Sequence, residues 1–167
     1  MSKMMKLIIL IPVVTIILDQ ITKQMVTRTM ELGESIPVIN NFLYITYYRN
    51  AGASFGILQG QILLFHIVTF IAIIGIIFVL TRLDIENEKF LVIALTLFLG
   101  GVIGNFIDRV IYQNVIDFVH TVWWGWNFAI FNVADSAMVV AVVLLALEGL
   151  VLEKRRALRR STSGNYH

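Results

Sequence analysis

Apolar residues run along this chain in four blocks too long and too uniform for the interior of a water-soluble domain, at 4–26, 62–80, 90–107 and 133–152. Each approaches the roughly 20 residues that a helix needs to cross a bilayer core. The second block is the purest, with no formal charge between Ile62 and Leu80. The first begins like a secretory leader, with Lys3 and Lys6 ahead of LIILIPVVTIIL. Polar Asp19, Gln20 and Lys23 follow and no small-x-small cleavage site appears, so the block reads as a retained anchor. Between the first two blocks the pattern changes: PVINN at 37–41 is turn-like, and FLYITYYR at 42–49 is rich in aromatic and β-branched residues. The pattern therefore predicts an all-α polytopic membrane protein, four transmembrane helices with a small extracytoplasmic β-sheet, its β-rich segment lying at about 29–60. A second outer segment, 110–131, carries Asp117, His120 and the group Trp123, Trp124 and Trp126, which suits the lipid headgroup level. Residues 1–160 form a single membrane-embedded domain in this reading, and STSGNYH at 161–167 a disordered tail.

Composition agrees, with 58% hydrophobic residues, 14% charged residues and a mean hydropathy of +0.83. Charge placement adds an orientation, because cytoplasmic flanks of membrane proteins hold an excess of Lys and Arg. With both termini inside, the inner set is Lys3, Lys6, Arg82, Lys89, Lys154, Arg155, Arg156, Arg159 and Arg160, against Lys23, Arg28, Arg49 and Arg109 outside. The run KRRALRR at 154–160 reads as a stop-transfer anchor on anionic lipid heads, and a net charge of +2 makes no case for nucleic acid. Zero cysteines removes thiol catalysis, Cys-ligated metal and disulfides together.

GASFG at 52–56 matches the G-x-S-x-G pattern of a serine nucleophile elbow. That pattern carries chemistry only at a strand-turn-helix with a base in reach, and nothing places His66 or His120 near Ser54, so glycines in a tight loop are the plainer reading. A Ser-Lys pair with Lys23, or a role for Ser136, is conceivable. Three scattered histidines lack the paired spacing of zinc sites, and no metal or other cofactor is expected.

Ionisable groups at membrane depth are more informative, since each costs a few kcal/mol to carry there. Asp19 and Lys23 stand four apart on one helix face and can form an ion pair. Asp108 and Arg109 close the third span and read as helix-end anchors, and Glu148 reads as snorkelling toward the basic tail. Asp117 and Asp135 fall at the same outer level, one after the third span and the other opening the fourth. Asn132 to Asp135 has capping-box spacing, which favours an ionised Asp135, whereas Ile116 and Phe118 beside Asp117 favour its protonated form. Two carboxylates pushed apart in this way suit acid-base work, while a cap and a loop acid account equally well for the spacing.

Five motifs then occur in one order: DQITK at 19–23, RNAGASFG at 49–56, GGVIGNFIDR at 100–109, VIDF at 115–118 and FNVADS at 131–136. Together they resemble the lipoprotein signal peptidase (signal peptidase II) family, bacterial membrane aspartic proteases. The resemblance implies that Asp117 and Asp135 are a catalytic dyad, lined or braced by Asp19, Lys23, Asn50, Gly52, Asn105, Arg109 and Asn132. It implies a multi-pass protein of the bacterial cytoplasmic membrane with its active site at the outer face. The implied substrate is a diacylglyceryl-prolipoprotein, cut just before the lipidated cysteine. Two other classes fit the composition, a small proton or cation carrier relaying through Asp117, Asp135 and Glu148, and a non-catalytic membrane assembly subunit.

Overall fold

The computed structural model describes residues 3–52 and 60–163. The chain forms α1 (Lys3–Thr29), β1 (Ser35–Ile39), β2 (Leu43–Asn50), α2 (Ile62–Leu80), α3 (Lys89–Tyr112), β3 (Val115–Trp123), β4 (Trp126–Phe131) and α4 (Val133–Ser163). Four helices are long and apolar enough to cross a membrane, over Met4–Thr29, Ile62–Leu80, Lys89–Tyr112 and Val133–Leu150. Most of their large apolar side chains point outward, Leu63, Ile71, Ile74 and Leu150 among them, which is stable only against lipid.

With lipid outside, burial of apolar surface does not drive helices together, and close backbone packing takes over. Glycines of α3 provide it. A methyl group at Gly100 would lie 2.8 Å from Thr15 Cβ of α1, and one at Gly101 would lie 2.5 Å from the Ala134 carbonyl of α4. At Gly104 it would meet Asp19 Oδ2 at 2.7 Å. Thus α3 is the central helix, seated between α1 and α4, with α2 on its other side. Met4, Ile76, Leu80 and Val92 close the end of the bundle remote from the sheet.

The sheet is antiparallel, in the order β1-β2-β3-β4. Only β1 and β2 come from the segment expected to be β-rich. The other half, β3 and β4, comes from the Trp-bearing outer segment, where the turn and the pairing partner were not apparent from local pattern. Val26, Tyr47, Ile116 and Phe118 form the apolar seam that seats the sheet on the bundle. The third span also runs further than the apolar block suggested, to Tyr112, with Arg109 in its last turn and Asp108 just before it. Helix α4 continues through Ser163, past the expected start of a tail. Ser54 and most of GASFG lie outside the described residues, as do residues 164–167.

Candidate active site

Asp117 enters the site from β3 and Asp135 from the first turn of α4. The turn at Asn132 makes both placements. Asn132 Oδ1 accepts the Asp135 N–H at 2.8 Å while Asp135 Oδ2 accepts the Asn132 N–H at 3.2 Å, a reciprocal cap that fixes the carboxylate at the helix entrance. The Asn132 side-chain amide also donates to Asp117 Oδ1 at 2.7 Å, so one residue bonds both carboxylates, Asp117 through its side chain and Asp135 through its backbone N–H. Asn105 of α3 donates to Asp135 Oδ1 at 2.7 Å. Asn50, at the end of β2, donates to Asp117 Oδ2 at 3.1 Å and accepts the Gly52 N–H at 3.0 Å.

Beneath the two acids lies a buried ionic cluster. Lys23 Nζ meets Asp19 Oδ2 at 2.8 Å, Asp108 Oδ2 at 2.8 Å and Asn105 Oδ1 at 2.9 Å, using all three of its protons. Lys23 is only 1% exposed, and Asp19 and Asp108 are fully buried, so each charge depends on the others. The cluster also reaches the backbone. Asp19 Oδ1 accepts the N–H of Ala134 at 2.9 Å, and Asp108 Oδ2 accepts the N–H of Ile116 at 3.0 Å, in each case the residue just before one of the two acids. Gln20 supports Asp108 Oδ1 at 2.9 Å.

Asp117 and Asp135 share a cavity of about 310 Å3 with Asn50, Gly52, Asn105 and Arg109, whose other walls are Val68, Thr69, Ala72, Phe98, Val102, Val115, Ile130 and Met138. Arg109 lies 4.8 Å above the ring of Phe65, which holds the guanidinium at the cavity without a direct ion pair to either acid. Burial, and after it the nearby Asp135 charge, push the Asp117 carboxyl up to about 7, against the pull of the Asn50 and Asn132 hydrogen bonds and of Lys23. A proton is therefore available there near neutral pH. Two carboxyls beside a cavity, joined through one residue, can activate water and deliver a proton.

The family profile for signal peptidase (SPase) II matches residues 11–151. The chain belongs to the signal peptidase II family. It is accordingly an aspartic peptidase. Relatives described as lipoprotein signal peptidases include one from Anoxybacillus flavithermus, 48% identical over 88% of this chain and 87% of the relative. Another, from Geobacillus thermodenitrificans, is 53% identical over 81% of this chain and 84% of the relative. The Bacillus subtilis protein is 46% identical over 85% and 92%. A bacterial membrane enzyme structure solved in meso at 2.3 Å superposes with a TM-score of 0.76 at 38% identity, covering 96% of this chain and 92% of the other.

All nine residues singled out from the sequence lie in this one assembly, with Asp117, Asp135, Asn50, Gly52, Asn105 and Arg109 at the cavity and Asp19, Lys23 and Asn132 behind it. Asp108 and Gln20, outside those nine, belong to the same assembly. Asp108 is no surface anchor but the second counterion of Lys23, and a charged residue so close to an apolar span was the available signal. The serine alternative gains nothing from Ser136, whose hydroxyl donates to the Asn132 carbonyl at 2.9 Å as an ordinary helical back-bond. His120 sits in the sheet against Thr46 at 3.1 Å, and His66 lies edge-on to Phe106 within α2. Among the described residues, no three His, Cys, Asp or Glu side chains gather as a metal site.

Proposed function

We propose that this peptidase removes the signal peptide from prolipoproteins whose cysteine already carries diacylglyceryl, cutting just before that cysteine, and that Asp117 and Asp135 perform the chemistry. The observation that carries the reading is the meeting of two acids from distant parts of the chain at one cavity, coupled through Asn132. In the reaction one carboxylate takes a proton from water as the oxygen adds to the scissile carbonyl. The proton held by the pair passes to the leaving nitrogen as the C–N bond breaks, so no covalent enzyme intermediate forms. The proton belongs to the pair jointly. Asp19, Lys23, Asn105 and Asn132 hold the acids in place, while Asn50, Gly52 and Arg109 meet the substrate.

The sheet and both acids lie at one end of the four-helix bundle, and the excess of Lys and Arg at the other end supports a reading with both termini in the cytoplasm and the site at the outer face. A diacylglyceryl anchor would then hold the substrate cysteine at the depth of the dyad, converting a search in three dimensions into positioning along the membrane normal. The test is incubation of the purified protein with the same prolipoprotein in lipidated and unlipidated forms. Release of the signal peptide from the lipidated form alone is expected. Equal cleavage of both would overturn the anchoring argument, and cleavage of neither would overturn the function.

A further inference from the structure

The β3–β4 hairpin carries a feature that the peptidase chemistry leaves unused. Trp123 pairs with Trp126 across a two-residue turn, Trp124-Gly125, in which both central residues have positive φ, 46° and 80°. Such turns match the twist of a hairpin but favour Asn-Gly or Gly-Gly, and a bulky residue in the left-handed region is an outlier. The residue placed there is tryptophan, and its side chain is 93% exposed. Trp126 beside it is 81% exposed, and Trp123 and Phe128 are half exposed. Phe42 meets Trp123 edge-on at 5.5 Å, extending the aromatic surface onto the turn before β2. No residue from Thr121 to Phe131 carries a formal charge.

An unfavourable turn conformation combined with two almost fully exposed indoles is not explained by contacts within the fold. The location of the hairpin supplies the missing partner. It is tethered at both ends to transmembrane helices, leaving the C-terminus of α3 at Tyr112 and returning to the N-terminus of α4 at Val133, so both of its ends are held at the boundary of the membrane spans. We propose that the hairpin tip docks into the interfacial layer of the leaflet on the sheet side, with the indoles of Trp123, Trp124 and Trp126 among phospholipid headgroups and upper acyl carbons. Indole suits that layer, since its ring is apolar and its N–H can reach carbonyl and phosphate oxygens. The uncharged tip can enter without the desolvation that a Lys or Glu would impose. The tip has a consequence for the site. Asp117 stands on the same strand six residues away, about 20 Å at 3.3 Å per residue, and β3 is fastened at its other end by the Ile116 N–H to Asp108. A docked tip would thereby fix the inclination of β3 relative to the bilayer.

The chain has three tryptophans, and all of them are in this tip, so intrinsic fluorescence reports on it alone. The full-length protein is placed, without substrate, in vesicles of phosphatidylcholine and phosphatidylglycerol, with a fraction of the lipid brominated at its upper acyl carbons. The expected result is blue-shifted emission, quenched by brominated lipid and protected from aqueous iodide. Trp124→Asn should lose part of the lipid quenching yet keep or raise the unfolding midpoint in detergent, because Asn-Gly is the preferred turn. Emission typical of water-exposed indole, quenched by iodide and unaffected by bromine, would overturn the proposal. So would shielding that appears only when a lipidated peptide is added, which would make the tip a substrate surface. A lowered midpoint for Trp124→Asn in detergent would show that the fold itself requires the indole. None of these measurements depends on catalysis.

Discussion

Asp117→Asn separates the chemical and the energetic consequences of burying an acid beside its partner. Asp117 is 2% exposed, and its carboxyl is held at about 7 against an ordinary value of 3.8. At about 1.4 kcal/mol per pH unit, ionising it in the folded protein costs about 4 kcal/mol more than in the unfolded chain. The sign follows from proton counts. Between pH 4 and 7 the folded state binds more protons at this site than the unfolded state, so stability falls as pH rises through that window and the full cost is present above pH 7. An amide removes the cost. It also sets an NH2 against the Asn50 donor that now reaches Asp117 Oδ2 at 3.1 Å, which subtracts about 1–3 kcal/mol. The variant should therefore be about 1–3 kcal/mol more stable than the native protein at pH 8 and no more stable, or less, at pH 5. It should also have lost nearly all turnover, since an amide can neither activate water nor pass on a proton. Reversible unfolding in detergent at the two pH values, beside a cleavage assay, measures both. Equal pH slopes for variant and native protein would refute the burial argument, and an active variant would refute the assignment of the dyad.

Lys23→Met leaves Asp19 and Asp108 buried with no cation, and unfolding in detergent should show a loss of about 3–5 kcal/mol. Gly104→Ala should lower the unfolding midpoint and the activity together, because the new methyl would lie 2.7 Å from Asp19 Oδ2, an overpacking cost of about 1–3 kcal/mol. Gly75→Ala, with nothing within 4 Å, is the control and should match the native protein in both measurements. Reporter fusions after Arg82 should report cytoplasm and those after Asn40 or Gln113 the outside; a reversal at any of these positions would put the dyad on the wrong face. Ser136→Ala should keep substantial turnover in the cleavage assay, since its hydroxyl is engaged with the helix backbone.

What the sequence determined by itself is what depends on one segment and its solvent. The four spans were legible because the thickness of a bilayer sets the length of an apolar block, and α2 follows its block residue for residue. The pairing of Asp19 with Lys23 was legible because residues four apart share a helix face. The cap between Asn132 and Asp135 was legible because both ends of its hydrogen bonds lie within one turn. The motifs of the signal peptidase II family identified the likeness that the comparisons bear out. The tertiary structure decided everything that joins segments far apart. Asn50 reaches Asp117 across 67 positions and Asp19 reaches the Ala134 amide across 115, and no local pattern encodes which partner a buried polar atom will find. Pairing of β2 with β3 decided that the Trp-bearing segment is half of the sheet, since strand partners are chosen by docking on the helices rather than by alternation alone. The same docking made Asp108 a counterion. In an apolar bundle Lys23 must satisfy all three of its donors, and α3 brings the second carboxylate and the Asn105 carbonyl oxygen to it only once the glycines let the backbones close.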